Sequence, residues 1–306
     1  MSGEGATGWA GRWVGESTRR RIDVHRRALR REVSRLHDRR RIAAMTILII
    51  TFGIVIAGIM ARGEPAGADA RAYWAGVRIW LNGGDPYHPT GPFLPYVYAP
   101  WMLPLFAPWA LLPWDVAWFV WRGGTIALLL WTIHWAYRQR PLETAILVAL
   151  LAFPIGANLD TGNINLLLTL MLWGAQFTGP VLAGLLWSVA TWMKWAPVLF
   201  LPVLAPRGRL WGLLILGLFA LLSLATLPLT ILQLEALFGF GARPLRLDYL
   251  VFLWALVPYL WRRREPFDFL HPAWWRAKIA ALRMPKRHDV GRLVRAFFGL
   301  GAPAGG

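Results

Sequence analysis

Asp69 with Tyr73, Asn163 with Asn165, and Lys194 are the side chains of this sequence whose types and settings suit chemistry. Each stands beside or inside an apolar run, where ionisable and amide groups are expensive and count as functional candidates by default. An acid, two amides and a cation facing one cavity would suit transfer of a sugar from a lipid phosphate. The acid takes a proton from the acceptor hydroxyl, and the cation stabilises the departing phosphate.

Every one of these residues also has a plainer reading. Asp69 begins a helical pattern and could cap it. Asn163 and Asn165 could bond helix ends after a polar turn. Lys194 could snorkel to an interface from a bent helix. Asp85, in Gly83-Gly84-Asp85-Pro86, reads as a turn residue, and Asp160 as a loop residue. Glu235, Arg243, Arg246 and Asp248 read as an external connection, where ion pairs contribute little. The chain has no Gly-rich phosphate loop, no His-Glu-x-x-His helix and no Gly-x-Ser-x-Gly elbow. No metal site is expected, because His88 and His134 have no metal-type partners near them, and with no cysteine, thiolate chemistry and disulfides are excluded.

The elements that must position the candidates are membrane helices. Hydrophobic residues make up 57% of the chain and charged ones 16%, against about 25% charged in soluble domains. A soluble chain of 306 residues would need more polar surface than this one carries. The net charge of +17 resembles that of a nucleic-acid binder, but its distribution argues otherwise. Residues 1–41 hold 12 arginines against five acids, and residues 262–306 hold ten Lys and Arg against three, each net +7. Basic segments flanking an almost neutral apolar body are what the positive-inside rule expects of cytoplasmic ends, drawn to anionic lipid. Membrane lipid is therefore the expected contact of both tails, and nucleic acid is the lesser reading of the arginine-rich stretch 19–41.

The expected architecture is all-α and polytopic, with about eight membrane segments and both termini cytoplasmic. A basic tail, 1–41, holds an amphipathic helix with Ile22, Leu29, Val33 and Leu36 on its apolar side. An uncleaved anchor follows at Ile42–Ala61, about 30 Å of helix. An external loop, 62–113, carries a surface helix from Asp69 to Leu81, with Tyr73, Val77, Trp80 and Leu81 on one face. It also carries a re-entrant segment from Tyr98 to Leu112, broken by Pro100, Pro104 and Pro108. Spans are then expected at 114–137, 142–157 and 164–177, the last two joined by a polar loop from Asn158 to Asn163. Lys194 and Pro197 interrupt the run 181–206. Read as two short helices with a bend between, it keeps Arg207, Arg209 and the basic C-terminus on the cytoplasmic side. Spans at 210–229 and 247–261 close the body at 42–261, and 262–306 is a basic tail with an interfacial helix around Trp274 and Trp275. The 20 tryptophans fit aromatic belts at the two interfaces.

Four short motifs together carry a resemblance. Asp69-Ala70-Arg71-Ala72-Tyr73-Trp74-Ala75, then Gly83-Gly84-Asp85-Pro86-Tyr87 and Tyr98-Ala99-Pro100, resemble the first external loop of glycosyltransferase family 87. That family belongs to the GT-C group of polyprenyl-phosphate-sugar-dependent enzymes, several of them mannosyltransferases. Gly162-Asn163-Ile164-Asn165 resembles its Gly-Gln/Asn-x-Asn element. Ala183-Gly184-Leu185-Leu186 through Lys194-Trp195-Ala196-Pro197 resembles its Ala-Gly-Leu-Leu and Lys-x-x-Pro elements.

The resemblance implies a GT-C-like fold and an inverting transfer from a lipid-linked donor, with that donor as substrate and no other cofactor. Asp69 would be the general base and Lys194 the partner of the donor phosphate. Tyr73, Tyr98, Asn163 and Asn165 would shape the pocket. The site would face the extracytoplasmic side of a bacterial plasma membrane. Two departures keep other functions open: Tyr98-Ala99-Pro100 replaces the usual Tyr-Pro-Pro, and only two spans are expected after Pro197. A shortened relative could serve as a non-catalytic subunit of a larger membrane complex, with other membrane subunits as partners. A lipid-linked-sugar transporter would also use short broken helices.

Overall fold

The first apolar run forms helix α1, Arg39–Ala61, capped by Asp38, whose carboxylate accepts from the Arg40 amide at 3.0 Å. Ala44, Leu48, Thr51 and Val55 make a narrow buried stripe along it, while Ile49, Ile50, Ile54 and Met60 stay exposed. An apolar helix with one buried stripe and apolar residues on its open sides is built for lipid. In this computed structural model the chain is described over residues 38–62, 67–239 and 246–262, together with Val294, Phe297 and Phe298. The expected amphipathic helix of the N-terminal tail and the interfacial helix around Trp274 lie outside the described residues.

Helix α2, Ala68–Leu81, follows the anchor, as the sequence pattern predicts. Tyr73 and Val77 are buried on its inner face, whereas Leu81 at its end is exposed. The proline-broken stretch becomes one 3₁₀ turn, Pro100–Met102, and a short helix α3, Leu103–Ala110, too brief to cross a bilayer. Helix α4, Trp114–Gln139, is the longest among the described residues.

Helices α5, Pro141–Leu150, and α6, Ala152–Thr161, form one apolar run bent by 60° at Leu151. The cause is Pro154, which lacks an N–H for the carbonyl of Leu150 and crowds it with its ring. Helix α6 runs on to Thr161, so the polar loop expected from Asn158 shrinks to Gly162 and Asn163. Asn side chains within an apolar helix read as loop by composition. Here Asn158 turns its amide onto the Pro154 carbonyl at 2.7 Å and stays helical.

Helix α7, Ile164–Ala175, lies at the centre. Ile164, Leu168, Leu172 and Ala175 face one buried cluster with Tyr73, Tyr98 and Trp187, while Leu166, Leu170 and Trp173 face another with Leu48, Leu129 and Trp254. A helix apolar all round is one packed all round.

The run 181–206 does break as expected. Helix α8, Pro180–Met193, ends at Lys194 in extended conformation, and a 3₁₀ segment, Ala196–Val203, follows. At about 2 Å per residue that second piece is about 16 Å long, shorter than the α-helix expected there. Trp187 ties the two together by donating to the Pro197 carbonyl at 2.9 Å.

Helix α9, Pro206–Ala225, packs along α8. A side chain at Gly184 would come within 2.6 Å of the Gly212 amide, so only glycine permits that approach. The Ser188 hydroxyl lies 2.7 Å from the carbonyls of both glycines.

Helix α10, Leu227–Gly239, occupies ground read as an external connection, and Glu235 lies on it. A 3₁₀ segment, Leu247–Leu256, and helix α11, Val257–Trp261, complete the body. Buried polar ties hold this last run: Trp254 donates to Thr132 at 2.9 Å and Gln176 to the Ala255 carbonyl at 2.8 Å.

Among the described residues there is no strand, and three helices, α1, α4 and α9, are long and apolar enough to cross a membrane alone. The bent pair α5–α6 counts as a fourth if its two helices are taken as one broken span, and four shorter apolar helical runs lie among them: α7, α8, α10, and the last 3₁₀ segment with α11. The fold is that of an all-α, multi-pass membrane protein.

Candidate functional site

Two helix starts meet at Asp69. Gly67 precedes α2 with φ of 90°, and its amide donates to the Asp160 carbonyl at 2.8 Å, pinning α2 to the end of α6. Gly162 turns the chain from α6 into α7 with φ of 68°. A side chain there would come within 2.7 Å of both the Ala70 methyl and the Trp118 ring, so glycine alone lets α7 begin this close to α2.

Asn163 then does two jobs. Its Oδ1 accepts from the Asn165 amide at 3.0 Å, capping α7. Its Nδ2 donates to the Asp69 carboxylate at 2.8 Å. Asp69 sits in the first turn of α2 but does not cap it, since that place belongs to Gly67. Its partly exposed carboxylate is free to meet a ligand.

Asn165, two residues on, has no exposed surface and donates its Nδ2 to the Asp248 carboxylate at 3.3 Å. Asn163 and Asn165 thus each hold one acid. Asp248 is 8% exposed, its carboxylate lies 3.2 Å from Arg246 Nε, and its carbonyl accepts from Asn158 at 3.1 Å. The sequence reading put Asp248 in water beside Arg246. The pair exists, but Asp248 is buried, because the segment it opens is driven into the core by Val251, Phe252 and Trp254.

Lys194 completes the cluster. Its backbone ends α8, and its ammonium lies 5.7 Å from the ring centres of both Tyr98 and Tyr249. It feels the charges of Asp69 and Asp248, and that of Arg246 in the opposite sense. Tyr73 and Tyr98 form the wall behind: their hydroxyls are 3.1 Å apart and their rings meet edge to face at 5.3 Å. Burial first, then the charges of Tyr98 and Asp69, push the Tyr73 phenol well above its ordinary range. It stays neutral at physiological pH and serves as a hydrogen-bonding wall.

All six residues singled out in the sequence gather here, with unequal access: Asp69 and Lys194 are partly exposed, whereas Tyr73, Tyr98, Asn163 and Asn165 are buried. Sequence reading missed Asp248 and Tyr249. The available signal was an acid at the first turn of an apolar run, a costly place for a charge.

The site also borders a groove of about 930 Å³ between α1 and the bent α5–α6 pair. Ile54, Gly58, Phe153 and Gly156 are among its apolar walls, and Arg62, Asp160, Arg246 and Asp248 form its polar end. Arg62 and Asp160 are paired there at 2.6 Å, which also gives Asp160 a place in a buried helix end and not in a loop. Asp85, by contrast, makes the turn expected of it, accepting from the Tyr87 amide at 2.8 Å and meeting His88 Nδ1 at 2.8 Å. No group of three or more metal-type side chains occurs among the described residues.

The profile of glycosyltransferase family 87 matches residues 96–247. Over that stretch the chain is similar to glycosyltransferase family 87. The family match contains Tyr98, Asn163, Asn165, Lys194 and Arg246, while Asp69, Tyr73 and Asp248 lie outside it. The chain is also 32% identical over 112 residues to a polyprenol-phosphate-mannose-dependent α-(1-2)-phosphatidylinositol pentamannoside mannosyltransferase of Mycolicibacterium smegmatis. That alignment takes in 34% of this chain and 27% of the relative, so the chain spans about a quarter of the curated relative's length. No solved structure matches.

Proposed function

We propose that this chain is a membrane glycosyltransferase that moves a mannose-like sugar from a polyprenyl-phosphate donor to an acceptor hydroxyl on the extracytoplasmic face. The reading is supported by Asp69, held by Asn163 at the start of α2, and Lys194, at the break after α8, which act on each other through their charges and are both partly exposed. The family match and the dependence named for the mycobacterial relative support the donor class.

The chemistry balances on these residues. The acceptor oxygen attacks the sugar's anomeric carbon, and its proton passes to the Asp69 carboxylate, which Asn163 holds by one oxygen only. The bond from the anomeric carbon to the phosphate oxygen breaks, and the lipid phosphate leaves with one more negative charge. Lys194 faces that growing charge from within an apolar wall, where a cation is worth more than in water. A single displacement of this kind inverts the anomeric configuration. The sugar would lie between Asp69 and Lys194, against the wall formed by Tyr98 and Tyr249.

Asp69→Asn keeps the size and the hydrogen bonding of the side chain but removes the base. Transfer of labelled sugar from a polyprenyl-phosphate donor to lipid-linked acceptors, in membranes expressing the full chain, should fall about 10²- to 10⁴-fold. Undiminished transfer by the Asp69→Asn protein refutes the assignment of the base. Absence of transfer by the unaltered protein, across a panel of donors and acceptors, favours the non-catalytic subunit reading.

A further inference from the structure

The groove of about 930 Å³ beside the site has no part in the proposed transfer. None of Asp69, Tyr73, Tyr98, Asn163, Asn165 and Lys194 lines it. Its walls come from α1 and the bent α5–α6 pair, where Ile54, Leu150 and Phe153 are exposed, so it opens toward the bilayer. A side chain at Gly58 would meet nothing within 4 Å, so the space over that glycine is open. From Ile54 to Arg62 the groove follows α1 for about 12 Å. That is most of the hydrocarbon depth of one leaflet, about 15 Å.

The polar end suits an anion. The side chains of Arg62 and Arg246 are 66% and 58% exposed, whereas those of their partners Asp160 and Asp248 are 12% and 11% exposed. Each acid sits behind its arginine and holds it by one nitrogen, Nη1 of Arg62 and Nε of Arg246. Among the described residues neither guanidinium has another hydrogen-bonding partner, so N–H groups of both remain for a ligand, in the fork that fits phosphate. Arg62 also follows the last residue of α1, the depth at which a bilayer carries its own phosphates. We propose that the groove holds an anionic phospholipid of the bilayer, its phosphate between Arg62 and Arg246 and one acyl chain along α1 toward Ile54. A headgroup with an ammonium fits less well, because it sets another cation beside two arginines whose acids are already paired. A long polyprenyl chain outruns a groove of this length, and the residues that would act on a donor lie outside it. The lipid ties the end of α1 to the segment that Arg246 opens.

Photocrosslinking of the full chain in phosphatidylcholine nanodiscs reads the site directly. A trace of phosphatidylglycerol or phosphatidylcholine carries a diazirine in one acyl chain, and mass spectrometry locates the labelled residues. The basic tails draw anionic lipid to the whole chain. Labelling of the groove walls is therefore scaled to that of Phe119 and Leu221, exposed on α4 and α9. On that scale the phosphatidylglycerol probe should label Ile54 and Phe153 about tenfold more than the phosphatidylcholine probe, the order expected of two arginines near a membrane surface.

Arg62→Gln with Arg246→Gln should abolish that preference. Arg39→Gln with Arg138→Gln removes the same charge elsewhere and should preserve it. Arg246→Gln leaves buried Asp248 without its cation and can unfold the chain, so Gly58→Leu supplies a second arm. It fills open space in the groove, touches neither arginine, and should cut groove labelling by the anionic probe. Equal groove labelling by the two probes overturns the proposal, as does labelling that Gly58→Leu leaves unchanged. Displacement of the anionic probe by polyprenyl phosphate at a lower concentration than by unlabelled phosphatidylglycerol also overturns it, and gives the groove to the donor. None of these readings depends on sugar transfer, so an inactive chain still decides them.

Discussion

Asn163 is the residue where stability and chemistry separate most cleanly. Its oxygen caps α7 and its amide holds Asp69. Asn163→Ser keeps a capping oxygen and loses the amide, so the fold should hold to within about 0.5 kcal/mol while transfer drops. Asn163→Ala loses both and should also destabilise the fold by about 1 kcal/mol. Thermal unfolding in detergent beside transfer assays distinguishes the two, and equal activity in the Ser variant and the parent removes the clamp from the account. Lys194→Arg is a companion case. Arginine keeps the charge but not its compact, point-like form, and the space between Tyr98 and Tyr249 suits an ammonium. Transfer should fall with little change in thermal stability.

Among the elements, the turn from α6 to α7 and the α8–α9 pair bear the geometry. Gly162 combines a left-handed backbone with contact against Ala70 and Trp118, so Gly162→Ala is strained twice over. It should lower the melting temperature and weaken transfer together, because the displaced α7 carries both clamping asparagines. At α8–α9, Gly184→Val places a branched side chain where the Gly212 amide lies 2.6 Å from a bare Cβ. The helices must part, and the Lys194 end of α8 moves with them. Cysteine pairs engineered across α8 and α9 report that separation directly: crosslinking efficient in the parent should be lost in Gly184→Val.

At the scale of the molecule, the arrangement of helices predicts a sidedness that labelling can check. The chain contains no cysteine, so single cysteines are clean reporters. Thr90→Cys, exposed in the loop after α2, should react with an impermeant maleimide from outside intact cells. Gln139→Cys, exposed at the basic end of α4, should react only after permeabilisation. The reverse pattern would put Asp69 and Lys194 on the cytoplasmic side and remove the lipid-linked donor from reach.

What the sequence determined by itself was the class of fold and the candidates for its site. An apolar chain with most of its net charge in its two tails lacks the polar surface to fold in water, and Asp69, Asn163, Asn165 and Lys194 were conspicuous because polar groups are scarce in such runs. The break at Lys194 and Pro197 was legible because proline ends helices by local sterics. What only tertiary structure decided was partnership. Asn158 and Asp160 read as loop because local composition cannot see the packing that keeps them helical, and Asp248 read as solvated because its burial is imposed by residues that follow it. The pairing of Asn163 with one acid and Asn165 with another spans distances along the chain that no periodicity encodes. It follows from two glycines that let helix starts meet, and from a core that buries Asp248 against Asn165.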